Sequence, residues 1–141
     1  MISLVVPVYK SSLNIAPLVA ALSRLNEDLA GELEAVFVVD GSPDDSYLQL
    51  SRLLPAVPFR SQLLLLSRNF GSFSAIRAGL EAAHGDRFAV MAADLQEPPE
   101  LVLAFDRHLR DGSADIVLGL RASRDDPWLS KLMSATFWAL Y

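Results

Sequence analysis

The chain contains no cysteine, which excludes disulfides, thiolate metal sites and a thiol nucleophile. It has no apolar run of the roughly 18 residues that a membrane-spanning helix requires. The opening Met1-Ile2-Ser3-Leu4-Val5-Val6-Pro7 lacks a basic stretch and so reads as a first strand rather than a signal peptide. Cations are in the minority, 12 Lys and Arg against 17 Asp and Glu for a net charge of −5, which argues against non-specific nucleic-acid binding. Three nucleotide and hydrolase signatures are missing. No Gly-rich loop ending in Lys-Ser/Thr occurs, which disfavours a P-loop ATPase, and no G-x-G-x-x-G follows the first strand, which disfavours a dinucleotide dehydrogenase. No G-x-S-x-G elbow occurs either, which disfavours an α/β-hydrolase.

What the chain does have is an apolar share of 52% and a charged share of 21% over 141 residues. That describes one globular domain with enough sequence to bury a core. Short β-branched or leucine-rich runs at 2–8, 35–39, 62–66, 88–93 and 115–119 read as strands. Between them the apolar spacing changes to that of helices. Ile15, Leu18, Val19, Leu22, Leu25 and Leu29 form one helical face, closed by Gly31. Ser42 followed by Asp45 reads as an N-cap. A small-residue helix runs from about Phe73 to His84, and another starts at Pro98-Pro99 and carries Leu101, Val102, Phe105 and Leu109 inward. Strands alternating with helices at this spacing predict an α/β fold, a mostly parallel sheet with helices on both faces. Residues 1–125 form this domain. Residues 126–141 carry Trp128, Leu129, Leu132, Met133, Phe137, Trp138 and Tyr141 at helical spacing and stop without a C-cap. They read as an amphipathic helix cut short, either interfacial to a membrane or packed on further parts of the fold.

Ligands of open parallel sheets bind beyond the carboxyl ends of the strands, and polar residues gather there. The first strand leads to Pro7, Tyr9 and Lys10, the second to Asp40-Gly41-Ser42, and the third to Ser67-Arg68-Asn69. The fourth leads to Asp94-Leu95-Gln96-Glu97 and the fifth to Gly119 and Arg121. Each has a plainer reading. Asp-Gly-Ser also makes turns and helix caps, Asp94 also caps a turn, and Arg68 and Arg121 also suit a solvated surface. Asp94 is the harder to set aside, because a carboxylate behind an apolar strand costs solvation unless it is paired or holds a metal. His84 and His108 read as surface residues.

In order and spacing, these residues resemble family-2 glycosyltransferases. The fragments are Pro7-Val8-Tyr9, Val39-Asp40-Gly41-Ser42-Pro43-Asp44-Asp45-Ser46, Ser67-Arg68-Asn69-Phe70-Gly71, and Met91-Ala92-Ala93-Asp94-Leu95-Gln96-Glu97-Pro98-Pro99-Glu100. The most similar subgroup is dolichyl-phosphate mannose synthase and the bacterial undecaprenyl-phosphate sugar transferases. The resemblance implies a GT-A-like, Rossmann-related fold and a UDP- or GDP-linked sugar donor. It further implies Mg²⁺ or Mn²⁺ and inverting hexosyl transfer to a polyprenyl phosphate at the cytoplasmic face of a membrane. Carried onto this chain, Pro7 and Tyr9 line the base pocket, Asp40 holds base or ribose, and Ser42, Arg68 and Asn69 belong to the nucleotide-sugar site. Asp94 meets metal and diphosphate, and Gln96 sits near sugar or phosphates. Arg121 approaches the acceptor phosphate, assisted by Arg124, Lys131 and Ser134.

The chain departs from the family pattern at three places. Val39 stands where the family has the first Asp of Asp-Asp-Gly-Ser, and Ala92 where it has the first Asp of Asp-x-Asp. Lys10-Ser11-Ser12 stands where a Glu-containing segment is common. Two other functions therefore stay open. One is transfer to a saccharide in cell-wall or polysaccharide synthesis, for which Glu97 is a candidate base. The other is a nucleotide-sugar-binding module without catalysis.

Overall fold

The computed structural model describes residues 1–120. Arg121, Arg124, Lys131, Ser134 and the aromatic segment 126–141 lie outside the described residues. Four strands, β1 (Ile2–Val8), β2 (Leu33–Asp40), β3 (Arg60–Leu66) and β4 (Arg87–Val90), form one sheet in the order β3-β2-β1-β4. Every pairing is parallel. Four helices, α1 (Ile15–Asp28), α2 (Ser46–Leu53), α3 (Ser72–Ala82) and α4 (Leu101–Arg110), connect or follow the strands. The α/β sequence pattern is thus realised as a parallel sheet, and the helix periodicity of 15–29 is realised as α1.

The two faces of the sheet bury different side chains because strand residues alternate in direction. Ile2, Leu4, Val6 and Val8 of β1 and Leu33, Ala35, Phe37 and Val39 of β2 face one way. They pack under Ile15, Leu18 and Leu22 of α1, Leu50 of α2 and Val102 of α4. Val5, Val36 and Val38 face the other way and pack with Ala75 of α3. Both central strands are almost wholly buried, which explains why they read as continuous apolar runs rather than alternating ones. Small residues let α3 approach closely: a Cβ on Gly79 would lie 2.4 Å from Val5 Cγ1.

Three expectations change. The segment 115–119 forms no strand among the described residues. A strand exists by pairing, and this one finds no neighbour there, leaving Ile116 and Leu118 78% and 77% exposed. The helix expected from Ser42 begins at Ser46 instead. Its N-cap position is Asp45, which makes no side-chain cap bond; Asp44, one residue earlier, accepts the Ser46 N–H through Oδ1 at 3.2 Å. The fourth strand is also shorter than 88–93, because the chain leaves the sheet after Val90.

At the amino end of the sheet a buried polar knot replaces apolar packing. The Glu34 carboxylate, 3% exposed, accepts hydrogen bonds from Ser3 Oγ, from the His84 N–H at 2.8 Å and from Gln62 Nε2 at 3.0 Å, and it lies 2.9 Å from His84 Nδ1. The His84 ring is solvent-facing, as the sequence suggested, yet it takes part in this knot. Burial alone would raise the acid's pKa. The bonds from Ser3, His84 and Gln62 outweigh it and bring the value down from 4.5 to about 2. A depressed carboxylate stabilises the fold above its unfolded pKa and loses that contribution as pH falls through the folded value. We therefore expect this group's contribution, ~3 kcal/mol at 1.36 kcal/mol per pKa unit, to disappear between pH 4.5 and about 2. Urea melts of wild type and Glu34→Gln across that window check it: the wild-type curve should fall toward that of the variant, and parallel curves would refute the assignment.

Candidate donor-binding site

The chain runs β1, β2, β3 in one direction across the sheet and then returns to place β4 on the other side of β1. This reversal opens a crevice at the carboxyl ends of β1 and β4, the position where open α/β sheets bind ligands. A cleft of about 420 Å³ lies there. Its lining comes from four strand ends: Pro7 and Val8 at the end of β1 with Tyr9, Lys10, Ser11 and Asn14 after it, Asp40 at the end of β2, Asn69, Gly71 and Ser72 after β3, and Ala92, Ala93 and Asp94 after β4. The fold thus brings Pro7, Tyr9, Asp40, Asn69 and Asp94 together from four distant parts of the sequence. Ser42, Arg68 and Gln96 do not line the cleft.

The first wall is the loop after β1. Lys10 adopts a left-handed backbone, φ +51°, which costs a non-glycine residue roughly 1–2 kcal/mol. It turns the chain sharply out of β1. The ammonium of Lys10 sits 5.3 Å over the Tyr9 ring, so aromatic surface and positive charge meet at one edge of the cleft. The loop after β3 forms the second wall. There Asp40, 3% exposed, accepts the Phe70 N–H through Oδ1 and the Gly71 N–H through Oδ2, each at 2.8 Å. Asn69 Oδ1 also accepts the Gly71 N–H, at 3.0 Å. The Arg68 guanidinium lies 4.7 Å over the Phe70 ring.

Asp94 departs from expectation in one respect. It is exposed rather than buried, so the solvation cost argued from its place after an apolar strand is not incurred. Its Oδ1 accepts the Gln96 N–H at 3.2 Å, the turn-capping bond that was its plainer reading. Oδ2 takes no bond from the described residues, and Asp94 lines the cleft together with Ala92. Leu95, between Asp94 and Gln96, is left-handed, φ +56°. Among the described residues no group of three acidic or imidazole side chains forms a cation cage. The donor set instead suits Mg²⁺, which commonly uses one or two carboxylates and completes its shell with substrate phosphates and water.

The two missing carboxylates fall in different places. Val39 is fully buried in the core, so an acid at that position would point away from the cleft. Ala92 is exposed in the lining, so the loss there is a loss to the site.

Three functional-looking residues escaped the sequence reading: Asn14 and Ser72, which line the cleft, and Asp44. The Asp44 carboxylate accepts bonds from Ser42 Oγ at 2.7 Å, the Ser12 N–H at 2.9 Å and the Ser46 N–H at 3.2 Å. Burial opposes its ionisation, but these bonds hold the acid well below the usual carboxylate range. The only signal in the sequence was the alternation of Ser42, Asp44 and Ser46, which also fits an ordinary turn.

Parallel sheet, crossover helices and a polar crevice at the switch point define an open α/β domain with a candidate ligand cleft. The sequence model of glycosyl transferase family 2 matches residues 3–139, and the chain belongs to that family. Solved structures share the fold. Among them is TarS 1-349 of S. aureus, with TM-score 0.69, 21% identity, and alignment over 89% of this chain and 38% of that one. Another is the mannosyltransferase PcManGT of Pyrobaculum calidifontis in complex with GDP-Man and Mn²⁺, with TM-score 0.67, 20% identity, and 77% and 32% covered. A third is glucosyl-3-phosphoglycerate synthase of Mycobacterium tuberculosis in complex with UDP, with TM-score 0.63, 18% identity, and 99% and 50% covered. The chain therefore spans half or less of the length of these neighbours.

Proposed function

We propose that this chain is the donor-binding part of a hexosyltransferase that moves a sugar from a UDP- or GDP-linked donor to a polyprenyl phosphate, with inversion. The observation that carries the donor half is the convergence of Tyr9, Asn69 and Asp94 on one cleft at the sheet's switch point. The half-exposed Tyr9 ring, with Pro7 beside it, offers a stacking surface to a base. Asn69 supplies amide hydrogen bonding on the opposite wall. Asp94 is the residue that would hold Mg²⁺ or Mn²⁺ against the donor diphosphate. That ion would supply charge neutralisation of the leaving nucleoside diphosphate.

The remaining work is positioning. An acceptor phosphate oxygen attacks the anomeric carbon as the bond to the diphosphate oxygen breaks, and the nucleoside diphosphate departs with the electron pair. Because a lipid phosphate is already anionic, no proton has to be removed, and cationic residues such as Arg121, with Arg124, Lys131 and Ser134 nearby in sequence, need only orient it. A lipid acceptor is further supported by apolar side chains beside the cleft. Leu13, between lining residues Ser11 and Asn14, is 92% exposed, and Phe73, next to lining residue Ser72, is 87% exposed. Such residues suit an interfacial surface.

Calorimetric titration with UDP, GDP and their glucose and mannose conjugates, with and without Mn²⁺, tests the donor half. One nucleotide series should bind in a metal-dependent manner, and the preferred base identifies the donor. No binding by either series would sink the reading. For the acceptor, sugar transfer by the full-length protein should saturate with polyprenyl phosphate. Transfer to a saccharide without lipid phosphate would redirect attention to Glu97 as a base.

A further inference from the structure

The turn after β2 does not contribute Ser42, Asp44 or Ser46 to the lining of the cleft, yet these side chains hold its first wall. Three successive backbone amides of the loop after β1 donate to them. The Lys10 N–H bonds to Ser42 Oγ at 2.7 Å, the Ser11 N–H to Ser46 Oγ at 3.2 Å, and the Ser12 N–H to Asp44 Oδ2 at 2.9 Å. Asp44 also takes the Ser42 hydroxyl through Oδ1, which aims Ser42 Oγ at Lys10. Four residues before Asp44, at the end of β2, Asp40 holds the second wall through the Phe70 and Gly71 amides. One segment, 40–46, therefore sets both walls from behind.

The arrangement has a purpose beyond a helix cap. Starting the helix calls for at most one acceptor on the Ser46 N–H, and Asp44 Oδ1 provides it. Oδ2 is spent on a different element, 32 residues away in sequence. The element it holds contains Lys10 in the left-handed region, a conformation that persists only where surrounding contacts impose it. The rotation at Lys10 places Tyr9 and Lys10 at the cleft edge.

We propose that Asp44, acting through Ser42 and the Ser12 amide, is a positioning residue for the sugar donor: it fixes the Tyr9–Ser12 wall in its binding arrangement without touching the donor. This deepens the donor-binding reading above and rests on it. Removing the carboxylate frees the wall to sample other arrangements. If the competent one is then populated about a tenth of the time, nucleotide affinity falls about tenfold, since apparent affinity scales with that fraction.

The test compares Asp44→Ala, Asp44→Asn and Ser42→Ala by titration with UDP and GDP and by amide hydrogen exchange on the ligand-free chain. Expected for Asp44→Ala is a roughly tenfold loss of affinity together with faster exchange at Lys10, Ser11 and Ser12, while the β2 amides stay protected. Asp44→Asn keeps one acceptor oxygen of the two and should restore part of both. Ser42→Ala removes a single hydroxyl and gives an intermediate loss, which also serves should Asp44→Ala fail to fold. Affinity unchanged while the loop amides open overturns the proposal. So does equal loss in Asp44→Ala and Asp44→Asn with the amides still protected, because the charge would then be acting on the donor directly. Wild type that binds neither nucleotide overturns the functional reading and this proposal with it. Wild-type binding that all three variants retain overturns this proposal alone.

Discussion

Alanine at position 94 is expected to abolish the metal-dependent part of donor binding while leaving the fold intact. Asp94 is exposed and contributes to the described structure one turn bond, from the Gln96 N–H, so its removal costs little stability. Its effect on binding should be far larger. With Ala92 beside it, the lining offers no second carboxylate two residues upstream, and a metal held by Asp94 and the donor's phosphates would lose the one anchor proposed for it among the described residues. The expected loss exceeds roughly 100-fold, since outer-sphere partners of metal ligands alone account for about 10–100-fold. Titrating GDP or UDP conjugates with and without Mn²⁺ shows it: wild type should respond to metal and Asp94→Ala should not. The reverse substitution at the neighbouring position sharpens the prediction. Ala92→Asp places a second carboxylate in the cleft lining and should tighten metal-dependent binding. An unaltered metal response in Asp94→Ala would remove Asp94 from the site.

The second large effect concerns stability. Gly41 has φ +57°, and a Cβ there would lie 2.2 Å from the Arg68 carbonyl carbon and 2.5 Å from the Asn69 nitrogen. Both obstacles are backbone, so no rotamer change relieves them. Gly41→Ala must displace the loop after β3, and in doing so it pulls the Phe70 and Gly71 amides from the Asp40 carboxylate. The left-handed conformation alone costs alanine roughly 1–2 kcal/mol. Leaving a buried carboxylate short of its partners adds about 1–3 kcal/mol. A total near ~3 kcal/mol lowers the melting temperature by on the order of 10 °C in a domain of this size. Thermal denaturation followed by circular dichroism checks this. Gly31→Ala is the control: it shares the positive φ at +82° but has nothing within 4 Å of the added Cβ, so it should cost only the conformational part. Equal losses in the two variants would show that packing against Arg68 is unimportant.

The Asp40-Gly41-Ser42 segment illustrates where reading a sequence stops. Its turn chemistry and its place after an apolar strand were both legible. Its partners were not. The sequence placed Ser42 as a helix cap and as a nucleotide contact. In the structure its oxygen takes the Lys10 amide, and the helix begins four residues later. Asp44 has no local feature that sets it apart from Asp45, yet it alone of the two bonds to the loop after β1. Val39 and Ala92 looked like equivalent losses of acid, but one faces the core and the other the cleft.

Local pattern alone determined that this chain alternates strand and helix, that its two central strands are buried on both faces, and that Tyr9, Asp40, Asn69 and Asp94 lie at or after strand ends. Those features depend on side-chain period and composition within short windows, which the amino-acid order contains outright. Tertiary structure decided the strand order that opens the cleft between β1 and β4, and the absence of a paired strand at 115–119 among the described residues. It also decided which carboxylates give both oxygens to backbone amides and which keep one unbonded among the described residues. Each of these is settled by groups 20 to 90 residues apart meeting in space, and hydrogen bonds and close contacts of that kind leave no periodic trace along the chain.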